Sequence, residues 1–402
     1  MQKTIFTLKL LPSSINSIAC ILTITLLVLS ACSDPISVTN EGPAKNKPLN
    51  EQLRAFEIIE INYDQIYKIA TTKPTNYISL NLNIKSHPHW NFQMKTDDLK
   101  NYIASGFEMI EIGKMDKHIH HQLDDIYALE GFLETKNQKV VMTFGSGKME
   151  AIIVESDIEY SIEPLSNYNK NANPNQYVLY SGLDILDCDF NCSDESSLSI
   201  SSVENQNLNK APWQIKLTYL GDYQFYQKFK TTADAFNYMF WRFYYANKRF
   251  KAFNDVGLSW NLQTAYLYTS HGSRNYNPKT RSNKSTFAKE CSAYYDYDWY
   301  KSGDVNFFFT GDDVEGVIGR SICLGSMCNK PSKAFSFSEW RPSGYQASNL
   351  MAHEIGHVMG CPHDESTNNF MHESVSKWRS ILGDEAKSKL LSCLEKNSCL
   401  TK

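Results

Sequence analysis

His353 and His357 stand four residues apart in a segment with helical spacing, and Glu354 directly follows the first of them. Side chains at i and i+4 share one face of a helix, so both imidazoles can reach a single metal ion. Gly360 follows, and glycine's tolerance of positive φ lets a helix end there and the chain turn back. That turn brings His363 in as a third ligand. Three protein ligands leave one tetrahedral position of a zinc ion open, the arrangement of a catalytic rather than a structural site. Glu354 is not a ligand, and its carboxylate is placed to take a proton from zinc-activated water as general base. Cys361 lies on the turn itself and is expected to point away from the metal.

Such a site needs a rigid helix set on a sheet. The pattern predicts the helix over 346–359, stopped by Gly360. Around it the spacing predicts strands over 213–219, 258–267, 305–310 and 334–340, and helices over 232–253, 286–300 and 376–396. This order implies a mixed α/β or α+β domain covering 211–402. The strand at 334–340 is a candidate edge strand for a protein or peptide substrate bound in extended conformation. The helix over 232–253 is aromatic, but Arg242, Lys248, Arg249 and Lys251 interrupt it, which favours a core element over a membrane one. From 51 to 192 the chain alternates in strand fashion, as at 77–84 and 140–144, and reads as a mostly β domain. A polar stretch at 193–210 separates the two as a linker. His118, His120 and His121 read as a solvated patch, and the aromatic run 294–300 reads as packing rather than a carbohydrate platform.

The chain has 402 residues, with 40 Lys+Arg against 44 Asp+Glu, and this balance argues against a nucleic-acid partner. Lys3 and Lys9 precede an apolar run at 18–29, which is short for a span and reads as a signal-peptide core. Leu29-Ser30-Ala31-Cys32 resembles a bacterial lipobox, which gives a signal peptide over 1–31, lipid on Cys32, a tether over 32–50 and a membrane-anchored, exported protein. The alternatives are an ordinary signal peptide cut after Ala31 or an uncleaved anchor. Export makes Cys188, Cys192, Cys291, Cys323, Cys328, Cys361, Cys393 and Cys399 disulfide candidates.

The segment from His353 to Asp364 resembles the metzincin zinc endopeptidases, with Met371 at the place of their Met-turn, although Glu373 stands where that turn usually carries proline. Asp364 after His363, with Phe309-Thr310-Gly311, Gly325-Ser326-Met327-Cys328 and Ser398-Cys399-Leu400, looks like the adamalysin/reprolysin branch. The resemblance implies a twisted mixed sheet, an active-site helix, one zinc ion and a Cys328–Cys399 disulfide. Calcium ligands do not carry over residue by residue. Residues 127–134, 140–144 and 160–165 resemble the reprolysin propeptide, which implies a latent precursor. Cys192 or Cys188 could then occupy the open zinc position as a thiolate, and the alternative for that pair is a Cys188–Cys192 disulfide. The expected activity is peptide-bond hydrolysis by a surface-anchored zinc metalloendopeptidase. One alternative is a catalytically inactive surface lipoprotein that acts as an adhesin or binding module, which has no need of Glu354. The other is a zinc hydrolase of a different substrate class, which the extension through Gly360 and His363 disfavours.

Overall fold

Period-two alternation becomes strand through most of the first half of the chain. The computed structural model describes residues 48–186 (without 115–116, 124, 134–137 and 157), 213–250, 257–270, 303–312, 314, 318–321, 324–328, 334–365, 369–373, 381–396 and 400. The signal peptide, most of the tether, the linker at 193–210 and the segments 286–300 and 294–300 lie outside the described residues. So do Cys32, Cys188, Cys192, Cys291, Cys323 and Cys399. Residues from 45 onward form one compact unit.

The described strands are β1 (Glu57–Glu60), β2 (Ile78–Leu80), β3 (Phe92–Thr96), β4 (Ile103–Ile112), β5 (His118–His121), β6 (Tyr127–Leu133), β7 (Lys139–Gly145), β8 (Lys148–Glu155), β9 (Ile158–Pro164), β10 (Gln176–Ser181), β11 (Trp213–Gly221), β12 (Leu258–Tyr268), β13 (Val305–Thr310), β14 (Gly319–Ser321) and β15 (Phe335–Glu339). The longer helices are α1 (Tyr63–Thr71), α2 (Thr232–Lys248), α3 (Gly344–Val358) and α4 (Asp384–Lys396).

Eight strands form an antiparallel sheet in the order β1-β10-β9-β8-β7-β6-β3-β2. Its β7–β8 hairpin turns on Ser146 (φ 48°) and Gly147 (φ 70°), the left-handed pair that a two-residue hairpin favours. The alternation then sorts side chains by face. Val140, Met142, Phe144, Met149, Ala151 and Ile153 join a core made only by the N-terminal half. Val141, Ile152 and Val178 point the other way, into a larger core shared with α2, α3 and the second sheet.

That second sheet has the order β14-β15-β13-β11-β12-β4-β5. The four inner pairings are parallel and the two outer ones antiparallel. Strands β4 and β5 come from residues before 192, so a division of the chain at 192/211 does not separate the two sheets.

Three expectations are corrected. The strand expected over 77–84 ends at Leu80, because the Asn81 side chain accepts from Asn83 N–H and Asn83 turns to φ 54°. The strand expected at 334–340 is not an edge: β15 lies between β14 and β13, and all five of its residues are buried. The edge belongs to the short antiparallel β14, which sequence patterning cannot show because pairing decides position. The terminal helix, expected from 376, begins at Asp384 after three non-helical residues. His118 and His120 are exposed as expected, whereas His121 pairs with Glu111 at 2.8 Å. No described helix is long and apolar enough to cross a membrane.

Candidate active site

Helix α3 starts at a conventional cap. The Ser343 side chain accepts from Gln346 N–H, and every residue from Gly344 to Val358 is buried. Its C-terminal end carries His353, Glu354 and His357. Gly360, at φ 100°, then reverses the chain. A Cβ at that position would lie 2.9 Å from the Cβ of Cys393 on α4, so packing as well as φ requires glycine.

The reversal brings His363 to the pair. The three histidines offer ring nitrogens that all lie within 4.8 Å of one another. His357 Nε2 stands 3.0 Å from His353 Nε2 and 3.2 Å from His363 Nε2. Ligand nitrogens around a tetrahedral zinc at ~2.05 Å would be about 3.3 Å apart, so the spacing fits. His353 Nδ1 lies 2.7 Å from the Phe370 carbonyl, and His357 Nδ1 lies 2.7 Å from the Cys361 carbonyl. Carbonyls only accept, so each Nδ1 carries the proton and each Nε2 presents a lone pair inward. Converging lone pairs repel one another, and a cation relieves that repulsion. Burial, with His357 and His363 alongside, holds His353 well below the usual histidine range, which keeps it in the neutral form a metal needs. These residues therefore fit a zinc ion.

The structure also places residues that motif spacing does not reveal. The Ser321 hydroxyl on β14 donates to the Glu354 carboxylate (2.9 Å) and lies against the Glu354 carbonyl. A Cβ on Gly319 would fall 2.8 Å from Glu354 Oε1 and 2.7 Å from Leu350, so this strand can press on the helix only as glycine. Ser321 thereby fixes the direction of the carboxylate. No sequence signal marks it, since one serine in a short strand has no periodicity.

Met371 packs against the helix: it is fully buried, and a Cβ on Gly356 would meet its sulfur at 2.6 Å. The turn is held without proline. Asn369 accepts from Met371 N–H at 2.7 Å and donates to the Asp364 carbonyl at 2.9 Å, while Asp364 N–H donates to the Met371 carbonyl at 3.1 Å. The Asp364 carboxylate reaches Ala386 N–H in the first turn of α4, where a helix dipole favours an anion. Gly383 leaves room for it. Cys361 is buried with its thiol pushed up by burial, and it is not among the clustered ligands. Cys328 is disulfide-bonded, and Cys399, its expected partner, lies outside the described residues.

Residues 212–385 match the profile of metallo-peptidase family M12. No curated protein matches the chain. In fold the chain is similar to the crystal structure of metalloproteinase-II from Bacteroides fragilis, with a TM-score of 0.51 and 13% identity over 84% of this chain and 97% of that one. A helix that ends in two inward-facing imidazoles, a glycine turn that delivers the third, and a methionine packed below belong to one architecture, and residues 212–385, which match metallo-peptidase family M12, are metzincin-like.

Proposed function

We propose that the protein is a zinc-dependent metalloendopeptidase that cuts extended peptide segments, with Glu354 as its general base. The convergence of three Nε2 atoms beside a hydroxyl-anchored carboxylate carries this reading. A zinc ion held by His353, His357 and His363 supplies Lewis-acid polarisation of the scissile carbonyl and lowers the pKa of water toward about 7. The chain's own residues do the rest. The Phe370 and Cys361 carbonyls hold the first two imidazoles in one tautomer and orientation. Glu354 takes a proton from water and delivers it to the leaving amine, and Ser321 keeps the carboxylate aimed. The substrate adds as a strand beside β14, at the end of the sheet, and its backbone pairs with an edge directly above Glu354.

The test is a purified Glu354→Gln variant. Metal content by mass spectrometry should match wild type, while cleavage of a peptide library should fall about 10²–10⁴-fold. Cleavage at the wild-type rate would rule out the assigned base. The reading extends to export and anchoring through Cys32, supported by residues 29–32, and Cys32→Ser should move the protein from membrane to soluble fractions. It extends also to a latent precursor with Cys192 or Cys188 at the zinc, supported by the propeptide-like segments between 127 and 165. Thiol counting on the unprocessed protein tests that assignment, and a Cys188–Cys192 disulfide would remove it.

A further inference from the structure

A segment destined for removal should leave a finished protein behind. Here the two halves share a sheet, a core and their buried charges. Strand β4 pairs in parallel with β12 over Glu108–Ile112, beside Thr264–Tyr268, so the N-terminal half supplies the two strands at one end of the sheet that carries the site. Helix α2 and its end carry three cations, Arg242, Lys248 and Arg249, and each is at most 2% exposed. Among the described residues, the carboxylates paired with them come from the N-terminal half. Arg242 pairs with Glu150, Lys248 with Asp97 at 2.6 Å and Glu130 at 2.8 Å, and Arg249 with Glu159 at 3.9 Å.

The active-site helix itself is held from the same side. Glu163 is fully buried, and its Oε1 accepts from Tyr345 N–H at 2.8 Å in the first turn of α3. Tyr180 also donates to Glu163, and its hydroxyl lies 2.8 Å from that of the cap residue Ser343. A carboxylate there complements the positive end of the helix that presents His353 and His357. Without residues 49–186, three buried cations would lose these carboxylates, the start of α3 would lose Glu163, and an apolar face would open.

We propose that residues 49–186 are a permanent half of the protease and remain docked on α2, α3 and β12 after the chain is cut between 187 and 212. A processing cut would then sever the connection without discarding the N-terminal half. This goes beyond the proteolytic reading and does not depend on it, because docking needs no turnover.

The experiment places a site-specific protease sequence within 193–210 of the full chain, with Cys20, Cys32, Cys188 and Cys192 replaced by serine. No cysteine then remains before the cut, so no disulfide can join the pieces. After cutting, the sample is run by size exclusion in 0.5 M NaCl and by native mass spectrometry. A 1:1 complex of the two pieces that unfolds in one transition is the expected result. Any other outcome, whether pieces that elute apart or a mixed aggregate, overturns the proposal. Peptide hydrolysis by the cut complex is scored separately: a docked but inactive complex would count against the proposed activity and leave the docking intact.

Discussion

Replacing Arg242 by methionine is the sharpest probe of how the two halves hold together. The guanidinium is fully buried, pairs with Glu150 on β8, and lies over the rings of Tyr238 (4.7 Å) and Tyr245 (5.8 Å). Methionine keeps much of the volume and removes the charge, so Glu150 is left buried without its cation. Removing one partner of a buried ion pair costs about 3–5 kcal/mol, a factor of about 10²–10⁴ in the folding equilibrium. The cost should depend on pH in a defined direction. Burial pushes Glu150 up to about 7 against the pull of Arg242, and without Arg242 it rises further. A carboxylate that ionises later in the folded than in the unfolded chain loses folded-state stability as pH rises from its unfolded value toward its folded one. The variant should therefore be hurt most at pH 8 and less at pH 5, where Glu150 keeps its proton. The double variant Arg242→Met, Glu150→Gln should recover part of the loss, since the orphaned charge is gone. Urea titrations at pH 5 and pH 8 on wild type, both single variants and the double measure all four corners. A loss below about 1 kcal/mol at pH 8, or a double variant worse than the sum of the singles, would refute the argument that this pair is buried and coupled.

Ser321→Ala should leave metal content unchanged and lower the turnover rate several-fold with little change in KM, because it frees the Glu354 carboxylate without touching a ligand; equal turnover would remove Ser321 from the site. Gly356→Ala places a methyl 2.6 Å from the Met371 sulfur, and overpacking of this kind costs about 1–3 kcal/mol, so its melting temperature should fall while Gly147→Ala, with nothing within 4 Å, suffers only from its φ of 70°. His353 is held neutral well below its usual range, so the unfolded chain takes up its proton first as pH drops below ~6.5. Measured against a His353→Asn variant, in which the contributions of the other titrating groups cancel, metal-free wild type should thus lose stability from pH 7 to pH 5 in thermal melts, and a constant difference between the two would contradict the burial of that imidazole.

Much of the site is legible in the order of residues alone. His353, Glu354 and His357 are set by helical period, and Gly360 and His363 follow from a turn that only glycine makes easily. Local chemistry of that kind is written in spacing, and so is the alternation of β6 to β10. What alternation cannot say is where its polar side faces. Glu150, Glu159, Ser161 and Glu163 are polar residues within strands, yet each is buried. They are buried because α2 and α3 bring Arg242, Arg249 and the first turn of the active-site helix against them. In the same way the charges of 232–253 mark it as a core helix, but their partners lie about 90 to 150 residues earlier and no period connects them. Strand order is equally non-local: β14 rather than β15 takes the edge, and β4 crosses into the second sheet, because hydrogen-bond pairing and shared burial decide adjacency. Short-range spacing thus specifies the zinc-site residues and most helices and strands, because those depend on neighbours a few positions apart. Long-range packing alone turns the acidic face of the N-terminal sheet inward, where Glu163 holds the start of the helix that carries the site.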